Sequence, residues 1–462
     1  MMRDEVGSAA ARPSRRELFL RGPIVSTLVM LSLPNIVVMV AQASTGLVET
    51  WWLSRLGTDA LAAMAIVFPV VMLMQMMSGG AIGGGISSAI ARALGADRQD
   101  EANALALHAM IIELALGAVL AVLVLAFGPA LYRALGGQGE SLRLALRYSN
   151  VVFAGMVLLW GMNGLTSIIR GTGNMLVPAA VTSVGVVVLV PLSPLLIFGV
   201  GPFPRLGVAG GGVALLLYYL GATLFFAWYI LSGRNAVRIV AVRPRRALFV
   251  EILRVGGVAA LTSLQTNLTI AITTALVGGW FGAAEIAGFG TGARLEYLLM
   301  PLVFGIGTTL VPMVGMNIGA RQTGRAVRIA FIGAAAAFML TETVGLAAAL
   351  WPESWLGLFD HDPAMLRAGA SYLRIVGPFY GLYGLGFALY FAAQGAGRLL
   401  WPLGAGFVRL LVAAVGGWSA LVAVGTEGWL YAALALGLVC YCAIIVASTA
   451  AWGRVRAQPG AR

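Results

Sequence analysis

Arg170-Gly171-Thr172-Gly173-Asn174-Met175-Leu176-Val177-Pro178 returns 224 residues later as Gln394-Gly395-Ala396-Gly397-Arg398-Leu399-Leu400-Trp401-Pro402. The same offset pairs Arg143 with Arg367, Tyr148 with Tyr372, Val152 with Val376, and Leu94-Gly95-Ala96 with Ile318-Gly319-Ala320. Nearer the start of each copy, Leu56-Gly57 with Ala62 matches Phe281-Gly282 with Ala287 at an offset of 225. The chain is therefore two copies of one unit. That predicts two related lobes with a site between them.

Each copy is too apolar for water. Of 462 residues, 60% are hydrophobic, 10% are charged and 61 are glycine. Lipid offers no partner for backbone N–H and C=O groups, so each crossing must be a helix of roughly 20 apolar residues. Twelve stretches qualify, near 25–53, 60–90, 103–127, 148–169, 175–198, 208–231, 255–278, 286–316, 326–350, 371–393, 401–423 and 429–452. The expected fold is an all-α polytopic membrane protein. Six-helix lobes span 25–231 and 255–452, a basic connection spans 232–254, and the tails are 1–24 and 453–462. Six crossings return each lobe to the side where it began, so the copies must be parallel repeats. Prolines within spans, including Pro34, Pro69, Pro301 and Pro378, suit either kinked packing or hinging.

The formal charge of +12 could suggest nucleic acid, but its placement points to a bilayer. With twelve spans, 21 of the 30 arginines fall in the tails and every second connection, and seven fall on the other side. By the positive-inside rule both tails are expected on the cytoplasmic side. The remaining two, Arg294 and Arg409, lie at or inside spans. Lysine is absent, which removes the phosphate-binding lysine of a Walker loop and Schiff-base chemistry. No nucleophile–base pair or metal constellation marks an enzyme. Cys440 and Cys442 point away from each other on a helix, and His108 and His361 are isolated. No cofactor and no obligate protein partner is expected. The first apolar segment is longer than a signal-peptide core, so no cleavage is expected, and residues 14–21 suit a short amphipathic helix on the inner surface.

Leu33-Pro34, Gly46-Leu47-Val48-Glu49-Thr50-Trp51-Trp52-Leu53-Ser54-Arg55-Leu56-Gly57 and Ala60-Leu61-Ala62-Ala63 resemble the opening of the multidrug and toxic compound extrusion family. Gly292-Ala293-Arg294-Leu295-Glu296 and Val314-Gly315-Met316-Asn317-Ile318-Gly319-Ala320-Arg321 are similar to its seventh-to-eighth-helix signature and the loop that follows. The likeness runs from about Ile24 to Trp452. It implies a twelve-helix exporter whose lobes form a V-shaped cavity. Such an exporter exchanges H+ or Na+ for small amphipathic, often cationic, drugs or metabolites. A flippase for a lipid-linked sugar, from the same broader superfamily, is the alternative; it would want a cavity densely lined with arginine.

Four acids lie well inside apolar stretches: Glu49, Glu113, Glu296 and Glu342. An ionised one at mid-membrane costs about 2.5–3.5 kcal/mol on insertion scales, so each must be protonated, paired or near water. Gln42, Thr45 and Glu49 recur at helical spacing and could present one ion-holding face. Family members place aspartate where Glu49 stands. Glu296 is the second coupling candidate, and the repeat puts Thr274 opposite Glu49 and Val71 opposite Glu296. Glu113 and Glu342 carry no matched motif. Relatives place an asparagine and an aspartate in the fifth span where this chain has Leu189 and Ser193, and the tenth span has no acid. The coupling ion therefore stays open. Thr262, Thr266, Thr269 and Thr273 share one face of the seventh span, with Gln265 and Asn267 adjoining. These residues, with Met72, Gln75 and Tyr383, are the candidate cavity lining, where methionine and tyrosine would adapt to varied ligands.

Overall fold

The computed structural model describes residues 15–453, apart from the side chains of residues 43–45, 47, 283 and 297. The described chain is helical throughout. In order the helices are α1 Arg15–Arg21, α2 Ile24–Ser54, α3 Thr58–Gln75, α4 Gly83–Gly95, α5 Gln99–Ala134, α6 Gly139–Ala154, α7 Met156–Gly171, α8 Leu176–Phe198 and α9 Val208–Leu231. The second half continues with α10 Arg246–Trp280, α11 Ala283–Gly319, α12 Thr323–Leu350, α13 Pro352–Leu356, α14 Pro363–Val376, α15 Tyr380–Ala396, α16 Leu400–Leu411, α17 Gly417–Val424 and α18 Glu427–Ala450. Eleven helical segments are long and apolar enough to cross a membrane, and the bent pair α6 and α7 makes a twelfth. Val122, Val187 and Leu224 stand more than half exposed on the outside of the bundle, a surface that suits hydrocarbon and not water.

Several spans are broken where the sequence suggested continuous helices. α6 and α7 meet at Gly155 with a bend of 46°. α14 and α15 are joined by a tight turn at Gly377–Phe379, where Pro378 removes a backbone donor. The connection expected over 232–254 is shorter than composition suggested, because α10 already begins at Arg246. That connection is tied along α5: Gln99 donates to the Ala236 carbonyl, Asn103 accepts from the Arg238 N–H at 2.9 Å, and His108 Nε2 accepts from the Arg245 N–H at 2.8 Å.

A wide π-type turn, Met76–Ile82, separates α3 from α4 and explains the change of repeat offset. Gly57 and Gly282 precede the equivalent helices α3 and α11. From there to Gly95 is 38 residues, whereas from Gly282 to Gly319 is 37. The π turn absorbs the extra residue, so Gly95 and Gly319 end in equivalent places.

Those two glycines close one end of the bundle. A Cβ on Gly95 would lie 2.1 Å from the Met316 carbonyl oxygen, and one on Gly319 would lie 2.1 Å from that of Arg92. Arg92 and Met316 are themselves 224 residues apart, so the contact is one interaction made twice across a pseudo-twofold axis. Around it, Arg92 pairs with Glu251 at 3.1 Å and donates to the Gly395 carbonyl; about 20 Å further along α11, Gly305 seats the Ile36 backbone. Asp97 and Arg321, also equivalent, both take positive φ as the chain leaves α4 and α11.

We call this end the tail face, since α1 lies there. α1 is held by protein, not laid on the membrane surface alone. Phe19 is fully buried against Gly173. Its carbonyl accepts from Asn317 at 3.0 Å, and the Gly22 carbonyl accepts from Arg325. Arg16 donates to the Leu94 carbonyl and pairs with Asp97 at 3.2 Å. The short helix thus straps the two lobes together.

Candidate functional site

Glu49 sits in the last turns of α2, five residues before its end at Ser54. Its Oε1 accepts from the Tyr148 hydroxyl of α6 at 3.1 Å. A Cβ on Gly211 of α9 would come within 2.9 Å of the same oxygen, so glycine there makes room for the carboxyl. In the other lobe, Glu296 Oε1 on α11 accepts from the Tyr372 hydroxyl of α14 at 2.6 Å. Tyr148 and Tyr372 are repeat equivalents, but Glu49 and Glu296 are not. Each lobe therefore aims the same duplicated hydroxyl at an acid that arrives on a different helix. Among the described residues, neither acid forms an ion pair.

The remaining two acids bond within their own lobes. Glu342 Oε2 accepts from the Gly381 N–H at 2.6 Å, capping a donor left open where the span breaks before α15. Glu113 is fully buried, accepts from Ser78 of the π turn at 2.9 Å, and leaves Oε1 without a partner.

Among the described residues, three cavities bear on these side chains. The first, about 200 Å³, is lined by Gln42, Gln75, Gly84, Ser87 and Gln394 together with one face of α7. That face is Asn163, Thr166, Ser167 and Arg170, spaced as a helical stripe and turned inward by the bend at Gly155. A second cavity has Thr262, Gln265, Thr266, Tyr383 and Arg409 beside an aromatic wall of Phe304, Phe387, Tyr390 and Phe391. The two share Met76, Gly80, Phe304 and Phe391, so they adjoin. A third, about 210 Å³, holds Thr269, Thr273, Arg294, Glu296, Tyr372 and, again, Arg409.

Most expected lining residues meet at these cavities, with three differences. Met72 is 38% exposed on α3 and lines none of them, whereas Gln75, one turn further along and next to the π turn, lines the first. Asn267 is exposed and donates to the Ser263 carbonyl of its own helix, because Gln265 and Thr266 take the inward positions. Gln42 does not share a pocket with Glu49: it faces Thr182 and Tyr218, two helical turns nearer the tail face. The side chain of Thr45 lies outside the described residues. Arg170 was assigned to a connection by sequence, although the stripe from Asn163 to Arg170 was there to be read.

The sequence model of the MatE family matches residues 34–195 and 259–419, once in each copy. The chain belongs to the MatE family. MatE proteins are single-chain membrane transporters of small substrates, not enzymes, and the expected family and twelve-span fold are thereby confirmed. This MatE transporter is 28% identical over 376 residues to the FAD transporter of Shewanella oneidensis, covering 80% of this chain and 82% of that one. To the probable multidrug resistance protein YoeA of Bacillus subtilis it is 25% identical over 381 residues, 81% of each chain. Among solved structures, a MOP-superfamily transporter from Pyrococcus furiosus superposes with a TM-score of 0.86 at 27% identity, covering 96% of this chain and 98% of that one. That transporter is described as having a binding pocket of reverse polarity that suggests a different function.

Proposed function

We propose that this chain is a secondary active exporter, exchanging H+ or Na+ for small amphipathic molecules by alternating access. Glu49 carries the reading: a carboxyl inside a spanning helix, bonded to one tyrosine hydroxyl and to no arginine, is free to exchange a cation. Tyr148 holds the carboxyl in place, and loading Glu49 removes its charge. That lowers the cost of moving it through hydrocarbon and so favours the lobe motion. Glu296 with Tyr372 is the corresponding device in the second lobe. Multidrug resistance relatives support the export reading. The arginine distribution supports cytoplasmic tails in a bacterial plasma membrane, so the closed tail face is the cytoplasmic gate.

An ion crossing 100 mV releases about 2.3 kcal/mol, enough for roughly fifty-fold accumulation per charge. The test is export from proteoliposomes under a pH gradient or a sodium gradient, applied separately. Wild type should respond to one of them, and Glu49→Gln should lose that response while remaining folded in the membrane. Gradient-driven transport at the wild-type rate in Glu49→Gln would refute the assignment. Transport of a lipid-linked sugar indifferent to both gradients would favour the flippase.

A further inference from the structure

The cavity beside α7 has an electrostatic character opposite to that of a cation site. Its lining contains Arg170 and no aspartate or glutamate, and the adjoining aromatic cavity contains Arg409 and no acid either. Four polar atoms around the first cavity have no hydrogen-bond partner: Ser87 Oγ, Asn163 Nδ2, Arg170 Nε and Gln394 Oε1. Gln394 is fully buried, and Ser87 nearly so. Arg170 and Gln394 occupy the same position of the two repeats, so the site sits near the pseudo-twofold axis and draws one group from each lobe. A guanidinium enclosed by spanning helices with no carboxylate beside it lacks the counter-ion that such burial normally requires.

We propose that the transported substrate is an organic anion: a planar aromatic molecule bearing a phosphate, carboxylate or sulfonate group. Arg170 takes the anionic group, with the Asn163 amide and Ser87 hydroxyl as further donors. Phe304 and Phe391, shared by both cavities, begin the wall on which the ring rests, and Arg409 lies over Tyr383 at 5.9 Å on its far side. The planar fork of arginine suits an oxyanion held by two parallel hydrogen bonds. Glu49 and Glu296 do not oppose this. Glu49 lies outside both cavities against Tyr148, and Glu296 lines the third cavity against Tyr372. This inference deepens the exporter reading and rests on it for the word substrate, but its binding test needs no gradient.

Full-length protein in nanodiscs is titrated with three pyrene probes of matched size: pyrenebutyrate, neutral pyrenebutanol and a pyrenebutyl trimethylammonium. The butyrate should bind at least about tenfold more tightly than the ammonium, the effect of one additional charge-assisted hydrogen bond. Arg170→Gln should weaken the butyrate about tenfold and leave the alcohol within twofold, and Arg170→Lys should restore part of the loss. Phosphate and sulfonate versions of the probe show which oxyanion is preferred. Should Arg170→Gln not fold, competition on wild type decides: inorganic phosphate or pyrophosphate should displace the butyrate and not the alcohol. Tighter binding of the ammonium, or a butyrate affinity untouched by both Arg170→Gln and phosphate, overturns the proposal. Anion binding without gradient-driven flux would leave this assignment standing and sink the exporter reading instead.

Discussion

Gly95→Ala should prise the tail face open, and the structure says by how much. The new Cβ would sit 2.1 Å from the Met316 carbonyl oxygen, where ordinary contact begins near 3.4 Å, so the lobes must part by more than 1 Å at that point. The obstacle is helix backbone, which cannot swing aside as a flexible side chain would. Overpacking of this kind costs about 1–3 kcal/mol. Charged entirely against the closed state, that shifts the balance towards tail-face opening by about 5- to 150-fold. Gly319→Ala makes the same clash with Arg92 and should have the same effect. Because one separation relieves both clashes, the double variant should open little more than either single one, an unusually strong departure from additivity. The assay replaces Cys440 and Cys442 with alanine, introduces Ser87→Cys in the cavity lining, and measures labelling by an impermeant thiol reagent applied from the tail face. Gly221→Ala, where a Cβ meets nothing within 4 Å, is the control and should label like the parent. Parental labelling rates in Gly95→Ala and Gly319→Ala, with both proteins intact, would refute the idea that these glycines form the seal.

Phe19→Ala removes a fully buried ring from the strap between lobes; about 3–5 kcal/mol of packing is lost there, and tail-face labelling of Ser87→Cys should rise while export slows. Glu342→Ala should lower stability by about 1–3 kcal/mol, read as a lower Tm in detergent, and keep ion-coupled export, because its carboxyl serves the Gly381 N–H. Glu113→Gln keeps the Ser78 hydrogen bond and the side-chain volume, so export should stay within about twofold of wild type; loss of the gradient response would make Glu113 a coupling acid after all.

The spans were legible in the sequence because hydrocarbon imposes a minimum apolar length on every crossing, and each of the twelve expected stretches is largely helical, with breaks at Gly155 and at Gly377–Phe379 inside two of them. The duplication was legible because glycines such as Gly95 and Gly319 are fixed by backbone contacts that no other residue allows. Less could be read of the site. Arg170 stands one residue from the end of its helix and, by linear position, looks like a connection; the polar stripe that begins at Asn163 marks its side of α7, and the structure shows that side lining a cavity. Tyr148 and Tyr372 served as markers of the repeat, and nothing in their spacing said that each would reach a carboxyl. Those contacts join helices about 76–99 residues apart in the chain, and no local pattern encodes them. Met72 and Asn267 failed as lining residues for a simpler reason: a residue's polarity or softness does not say which side of its helix faces inward.

The widened turn at Met76–Ile82 bears on how such a closure can form between two related halves of unequal length. An added residue in a regular helix rotates everything beyond it by about 100°, which here would have swung Gly85 and Gly95 away from the opposite lobe. Held as a local bulge, the insertion leaves the far part of the helix in phase with its sister. The bulge lies in the wall of the cavity beside α7, through Met76, Gly79 and Gly80, while the twofold-related closure at the tail face stays in register. The closure keeps its geometry in both halves even though the two carbonyls that receive the glycines belong to different residues, Arg92 and Met316.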